Sequence, residues 1–234
     1  MGDSNGPPSA GAVGSAARRG TETPAKTPRR LAPVACLLAG LLGAISAATP
    51  WWTTSTSSSG TSSMAEFYPG GDLYAGGGGG GGYTSYANAG IASIGDLYAV
   101  VLAGTIAIAL VGWALTAFAI GRSRGRWGGP RYRRFVRPAH FVAVGVGVLL
   151  AVTVPVVQPE LYRTANPGGA CTSAAPPGAC TSFWGTTHGV GATVLWGAGL
   201  GWWMDVAAAA LLALALLFET VVAAKAPRTG RYPE

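Results

Sequence analysis

Charge is scarce in this sequence. Charged residues occupy 11% of its 234 positions, where a soluble domain carries about 25%. So few charges cannot cover a water-soluble globule of this size, and a hydrophobic content of 49% excludes a disordered chain. Acidic residues are scarcer still, 9 against 16 basic ones. Cysteine is limited to three and histidine to two. There is no Cys-x-x-Cys to support redox exchange, and a zinc site lacks a ligand-spacing motif. No nucleophile-base pair and no nucleotide-binding loop appears, so no catalytic residue, metal or cofactor is assigned. What remains is a membrane protein, in which lipid replaces water around much of the surface.

What the chain does have is long apolar runs. The first, residues 31–49, is bounded by Arg29 and Arg30 before it and by Pro50 after it. Its 19 residues make a helix of roughly 28 Å, the thickness of the hydrocarbon layer. Further runs cover 97–120, 139–157 and 200–224. The expected fold class is therefore an all-α integral membrane protein, a four-transmembrane-helix bundle over 31–224.

Basic residues set its direction, because Lys and Arg are retained on the cytoplasmic side. Fifteen of the sixteen lie in the tail 1–30, the loop 121–138 or the tail 225–234. The loops 50–96 and 158–199 share only Arg163. Both termini are thus expected in the cytoplasm and both long loops outside, with a cell membrane as the location. The pI of about 9.7 is explained by this topology, and no nucleic-acid footprint is needed. Trp51 and Trp52 follow the first span and Trp202 and Trp203 open the fourth, which suits four interface anchors. The first span has a competing reading as a signal peptide, since Ser46-Ala47-Ala48 offers small residues before a cleavage point. The segment Arg29-Arg30-Leu31-Ala32-Pro33 lacks the rest of a twin-arginine pattern, and Gly6 stands where myristoylation expects Ser or Thr.

The tail before residue 29 is rich in Gly, Ala, Pro, Ser and Thr and reads as disordered. The loop 50–96 contains a Ser/Thr stretch and an unbroken glycine run, Gly76 to Gly82, which reads as a flexible linker,. Around the run stand Phe67, Tyr68, Tyr74, Tyr83 and Tyr86, aromatic rings interleaved with glycine, as in adaptable binding loops. The competing reading is a spacer whose tyrosines rest on the bilayer. In the loop 158–199, Cys171 and Cys180 flank a Pro- and Gly-containing turn. An oxidising compartment favours a disulfide between them. Cys36 reads as a small apolar residue of the first span.

Ionisable residues inside a membrane are functional candidates by default. Asp205 and Glu219 lie about 21 Å apart along a helix and about 40° apart around it, so they share a face. Each stands near an end of the fourth run. Asp205 is expected to reach external water, and Glu219 to reach the inner interface, His140 or Arg137. Small-residue pairs, Ala39 with Gly43, Ala143 with Gly147 and Gly197 with Gly201, suit close helix contact. Pro155 is expected to kink or end the third helix.

This layout resembles the four-span MARVEL, occludin-like proteins. The shared features are cytoplasmic termini, a first external loop rich in Gly and Tyr, a short basic turn and a second external loop with paired cysteines. The claudin pattern fits less well, because its Trp-Gly-Leu-Trp and two cysteines are absent from the first external loop. No functional residue is carried over. The reading reached from sequence is a non-enzymatic scaffold or complex subunit. Its partners are the lipid bilayer and proteins or further copies met through loops and small-residue helix faces. The alternative is a small oligomeric transporter or channel using Asp205, Glu219 and His140.

Overall fold

The computed structural model describes residues 28–123, 130–165, 178, 181–189 and 191–225. Four helices, α1 (Pro28–Ala48), α2 (Ala92–Ser123), α3 (Pro130–Ala165) and α4 (Leu200–Lys225), are joined at one end by six strands. The strands are β1 (Trp52–Ser58), β2 (Thr61–Phe67), β3 (Asp72–Gly77), β4 (Gly80–Ser85), β5 (Gly185–Gly189) and β6 (Ala192–Ala198). They form one antiparallel sheet in the order β4-β3-β2-β1-β6-β5.

The all-α expectation is therefore corrected: the two long loops fold together as a sheet. The residues explain both the sheet and why it is hard to see. Threonine favours a pleated chain, but β1 reads Trp-Thr-Thr-Ser-Thr-Ser-Ser and lacks the alternation of apolar and polar residues that marks a half-buried strand,. Its pairing with β6 brings Trp52 opposite Ala198 and Ser58 opposite Ala192, a contact between segments far apart in sequence. The glycine run is not a free linker. It supplies the end of β3, the Gly78 and Gly79 turn and the start of β4. Gly78 has a positive φ, which costs glycine nothing sterically.

All four helices are long and apolar enough to cross a membrane, and the chain is accordingly an integral membrane protein by composition. In the bundle α1 and α3 each pack against both α2 and α4. Leu110, Leu149, Val156 and Leu217 face outward, an apolar exterior suited to lipid rather than water. Small residues bring the backbones together. A Cβ on Gly112 would stand 2.7 Å from Gly40 N, and one on Gly147 2.7 Å from Ala209 Cβ. Gly199 and Gly201 do a different job. A Cβ at either would strike Pro50, Thr49 or Trp51, so these glycines form the corner between β6 and α4.

Helix α3 runs unbroken through Pro138, Pro155 and Pro159. Pro155 has no N–H for the carbonyl four residues earlier, which leaves the Ala151 oxygen open. The Trp202 indole N–H of α4 donates to that oxygen at 3.1 Å. A proline expected to kink or end the helix thus creates a tie to its neighbour.

At 32 and 36 residues, α2 and α3 exceed the roughly 20 residues needed to span a bilayer. Their surplus turns meet the sheet. Trp52, Phe67, Tyr86, Tyr98, Tyr162 and Phe183 belong to one buried cluster at this junction, while Ala35, Cys36, Ala39, Ala143, Ala208 and Leu212 belong to another within the bundle.

Candidate functional site

The sheet offers the richest surface. On the strand face opposite Phe67 and Leu73, Tyr74 pairs across the ladder with Tyr83, their rings 5.1 Å apart. Tyr68 adds a third ring, 6.0 Å from Tyr83, and its hydroxyl donates to Glu66 Oε2 at 2.7 Å. The Tyr74 ring covers the glycine run: a Cβ on Gly81 would collide with it, and one on Gly76 would come within 3.0 Å. Glycine is therefore what allows the ring to lie against the sheet. Met64 and Leu195 are also exposed and stand at one level on this face, linked through Ser55. Burial, and after it the Glu66 hydrogen bond and charge, raise the Tyr68 phenol above its ordinary value. Burial does the same to Tyr86, whose hydroxyl donates to the Tyr68 carbonyl at 2.7 Å.

The tryptophans divide between two tasks. Trp51 and Trp52 turn inward, with 0% and 1% of their surface exposed, rather than standing at a lipid interface. The Trp51 indole N–H lies 3.1 Å from the Ser46 carbonyl and 3.0 Å from its hydroxyl. Ser46 in turn donates to the Gly201 carbonyl. The Trp52 N–H donates to the Phe183 carbonyl at 2.6 Å, and its ring meets Phe67 edge-on. These two residues bolt the sheet to the bundle. Trp202 is half-buried through its bond to Ala151, whereas Trp203 is 57% exposed; the two rings pack edge-on.

The polar residues within the spans do not meet as one path. Asp205 is fully buried, out of reach of water, and neither carboxylate oxygen has a hydrogen-bond partner among the described residues. His140, also buried, lies toward the other end of the bundle. Its Nδ1 is 3.1 Å from the Val136 carbonyl, which can only accept, so Nδ1 carries the proton and Nε2 is left to accept. The Cys36 thiol donates to Nε2 at 3.4 Å, joining α1 to α3 across the bundle. Glu219 is half-buried and within electrostatic reach of Cys36. Among the described residues no group of three His, Cys, Asp or Glu could hold a metal. Cys171 and Cys180 lie outside the described residues.

Sequence reading did not anticipate the Cys36–His140 pair or the bond from Tyr98 to Gln158 Oε1 at 3.0 Å. Both join residues on different helices, and no spacing announces them. The tyrosine layer had a signal, the interleaving of Tyr and Gly over 74–83. No family model matches this chain, and no curated protein matches it.

Proposed function

We propose that this protein is a non-enzymatic membrane scaffold or complex subunit that engages partners through the face of its sheet. The observation that carries this reading is the Tyr68, Tyr74 and Tyr83 layer, with Tyr83 exposed and the other two half-buried beside it, set on a sheet that both loops build together. Broad rings on a backbone fixed by hydrogen bonds lose little entropy on binding. The charge pattern supports an external sheet. The loop residues on the sheet side hold four acids, Glu66, Asp72, Asp96 and Glu160, and one base, Arg163, while the other fifteen bases fall in the opposite segments. Both termini then lie in the cytoplasm of a cell with this protein in its surface membrane.

A triple change of Tyr68, Tyr74 and Tyr83 to serine tests the reading, with associated proteins recovered in mild detergent. Loss of specific partners with the fold retained is expected; unchanged association overturns the proposal. The competing transporter reading has Asp205 as its strongest support, a buried carboxyl without a hydrogen-bond partner. Flux in proteoliposomes that disappears in Asp205→Asn would favour it over the scaffold.

A further inference from the structure

Among the described residues the sheet has two open edges, β4 and β5, and they match. Followed through the registered pairs, Gly80 stands level with Gly77, Ser63, Thr56, Val194 and Thr187. In the same way Gly81 is level with Thr186, and Gly82 with Gly185. The first three residues of each edge strand therefore sit at one height above the bundle, on opposite sides of the sheet.

Direction adds a constraint. Strand β1 rises from the end of α1 and β6 returns to α4. With every pair antiparallel, β4 runs toward the bundle and β5 away from it. Copies of a chain in one membrane share one orientation. Two β4 edges brought together there would run parallel, as would two β5 edges. Only β4 of one copy beside β5 of the next continues the antiparallel alternation.

The edges also lack the usual protections. Exposed edge strands are commonly blunted by lysine, proline or a bulge. Here the charged strand residues are Glu66 and Asp72, in β2 and β3, and no strand contains proline. At Gly80 and Gly82 an added Cβ would meet open space, so nothing inside the molecule requires glycine there. Bare backbone at an edge suits close approach by another strand.

From this we infer that a second copy of this chain docks edge to edge, β4 against β5, so that neighbouring sheets join into one antiparallel sheet across the membrane surface. Such a contact is heterologous, with different surfaces on its two sides, and it repeats into a row or a ring. The inference rests on the scaffold reading and names self-association as its means.

Site-directed crosslinking of the full chain in lipid vesicles tests it. Gly80→Cys and Thr187→Cys are introduced singly and together, a short bismaleimide is added, and the unaltered chain measures any background from native cysteines. The two edges of one molecule are separated by five strand spacings, about 24 Å, so a short linker cannot bridge them internally. The double variant is expected to give a ladder of dimer, trimer and higher species. A mixture of the two single variants should stop at dimer, and Gly80→Cys alone should add nothing to background. Adding Gly82→Lys to the double variant should abolish the ladder without disturbing the fold. Absence of the ladder overturns the proposal, as does a ladder insensitive to Gly82→Lys. A dimer from Gly80→Cys alone also overturns it, showing β4 against β4, as sheets from facing membranes would meet. If the ladder fails while tyrosine-dependent partners still co-purify, edge docking falls and the scaffold reading stands; if both fail, both fall.

Discussion

The contact between α1 and α2 makes a quantitative test of how this bundle is held. Gly112 faces Gly40 so closely that an added Cβ would lie 2.7 Å from Gly40 N and 2.8 Å from the Cys36 oxygen and Gly40 Cα. All three are backbone atoms, so no rotamer change relieves the clash. Carbon contacts are comfortable from about 3.5 Å, so the helices must part by about 0.8 Å, enough to forfeit a quarter to a half of the dispersion energy along the seam. Overpacking of this kind costs about 1–3 kcal/mol. Alanine also improves helix propensity by about 1 kcal/mol over glycine, which partly conceals the loss. Gly145 in α3 isolates the two effects, because its added Cβ meets nothing. Gly145→Ala keeps the propensity gain and introduces no clash. The stability difference between Gly112→Ala and Gly145→Ala, measured by detergent-induced unfolding, should therefore be about 1–3 kcal/mol against Gly112. In a background with Cys171 and Cys180 changed to serine, maleimide should also reach the buried Cys36 faster in Gly112→Val than in the parent. Equal stability of the two alanine variants, with Cys36 still protected, would refute this account of the seam.

Three further outcomes are expected. Trp52→Ala removes a buried ring and the N–H donor to Phe183 and should cost about 3–5 kcal/mol; protease sensitivity of the strands should rise before that of the helices. Burial raises the Tyr86 phenol, so the folded chain holds its proton after the unfolded chain has lost it. The associated stability is complete below the ordinary phenol value of about 10 and is lost as pH rises above it, a decline that unfolding measured against pH should show reduced in Tyr86→Phe. Asp205→Leu relieves a buried carboxyl without partners and should raise stability by about 1–3 kcal/mol. A lower melting temperature in that variant would mean that Asp205 has a partner in the working protein.

The spans were legible because lipid imposes a crude requirement, about twenty consecutive apolar residues, and the uncharged run from Leu97 to Ile120 satisfies it without reference to anything else in the chain. Helix ends were less legible. Sequence placed the third span over 139–157, yet α3 covers Pro130–Ala165, because its final turns stand in the sheet layer and tolerate polar residues such as Gln158 and Glu160. The strands were illegible for a different reason. Their faces are mostly Ser, Thr and Gly, and the large residues that fix their register, Trp52, Phe67, Leu73 and Trp196, are separated along the chain. Each looks like an isolated aromatic or aliphatic until pairing places Trp52 opposite Phe67 and Phe67 opposite Leu73.

The candidate residues were misjudged where one side chain could satisfy two environments. A tryptophan pair beside a span suits the lipid interface, but it equally suits a junction in which each N–H has an internal acceptor. The deciding fact is the supply of acceptors: Ser46 for Trp51 and Phe183 for Trp52. Asp205 presents the converse. Its place four residues after Gly201 suggests access to water, but Trp51 packs on Gly201 and closes that end. The same aromatic layer that fastens the sheet thus seals the acid in. The junction therefore bears on both functional readings: it holds the tyrosine face rigid for docking, and it must open before Asp205 could serve transport. Loosening it by Trp51→Ala should weaken a scaffold and, if the transporter reading were right, increase flux.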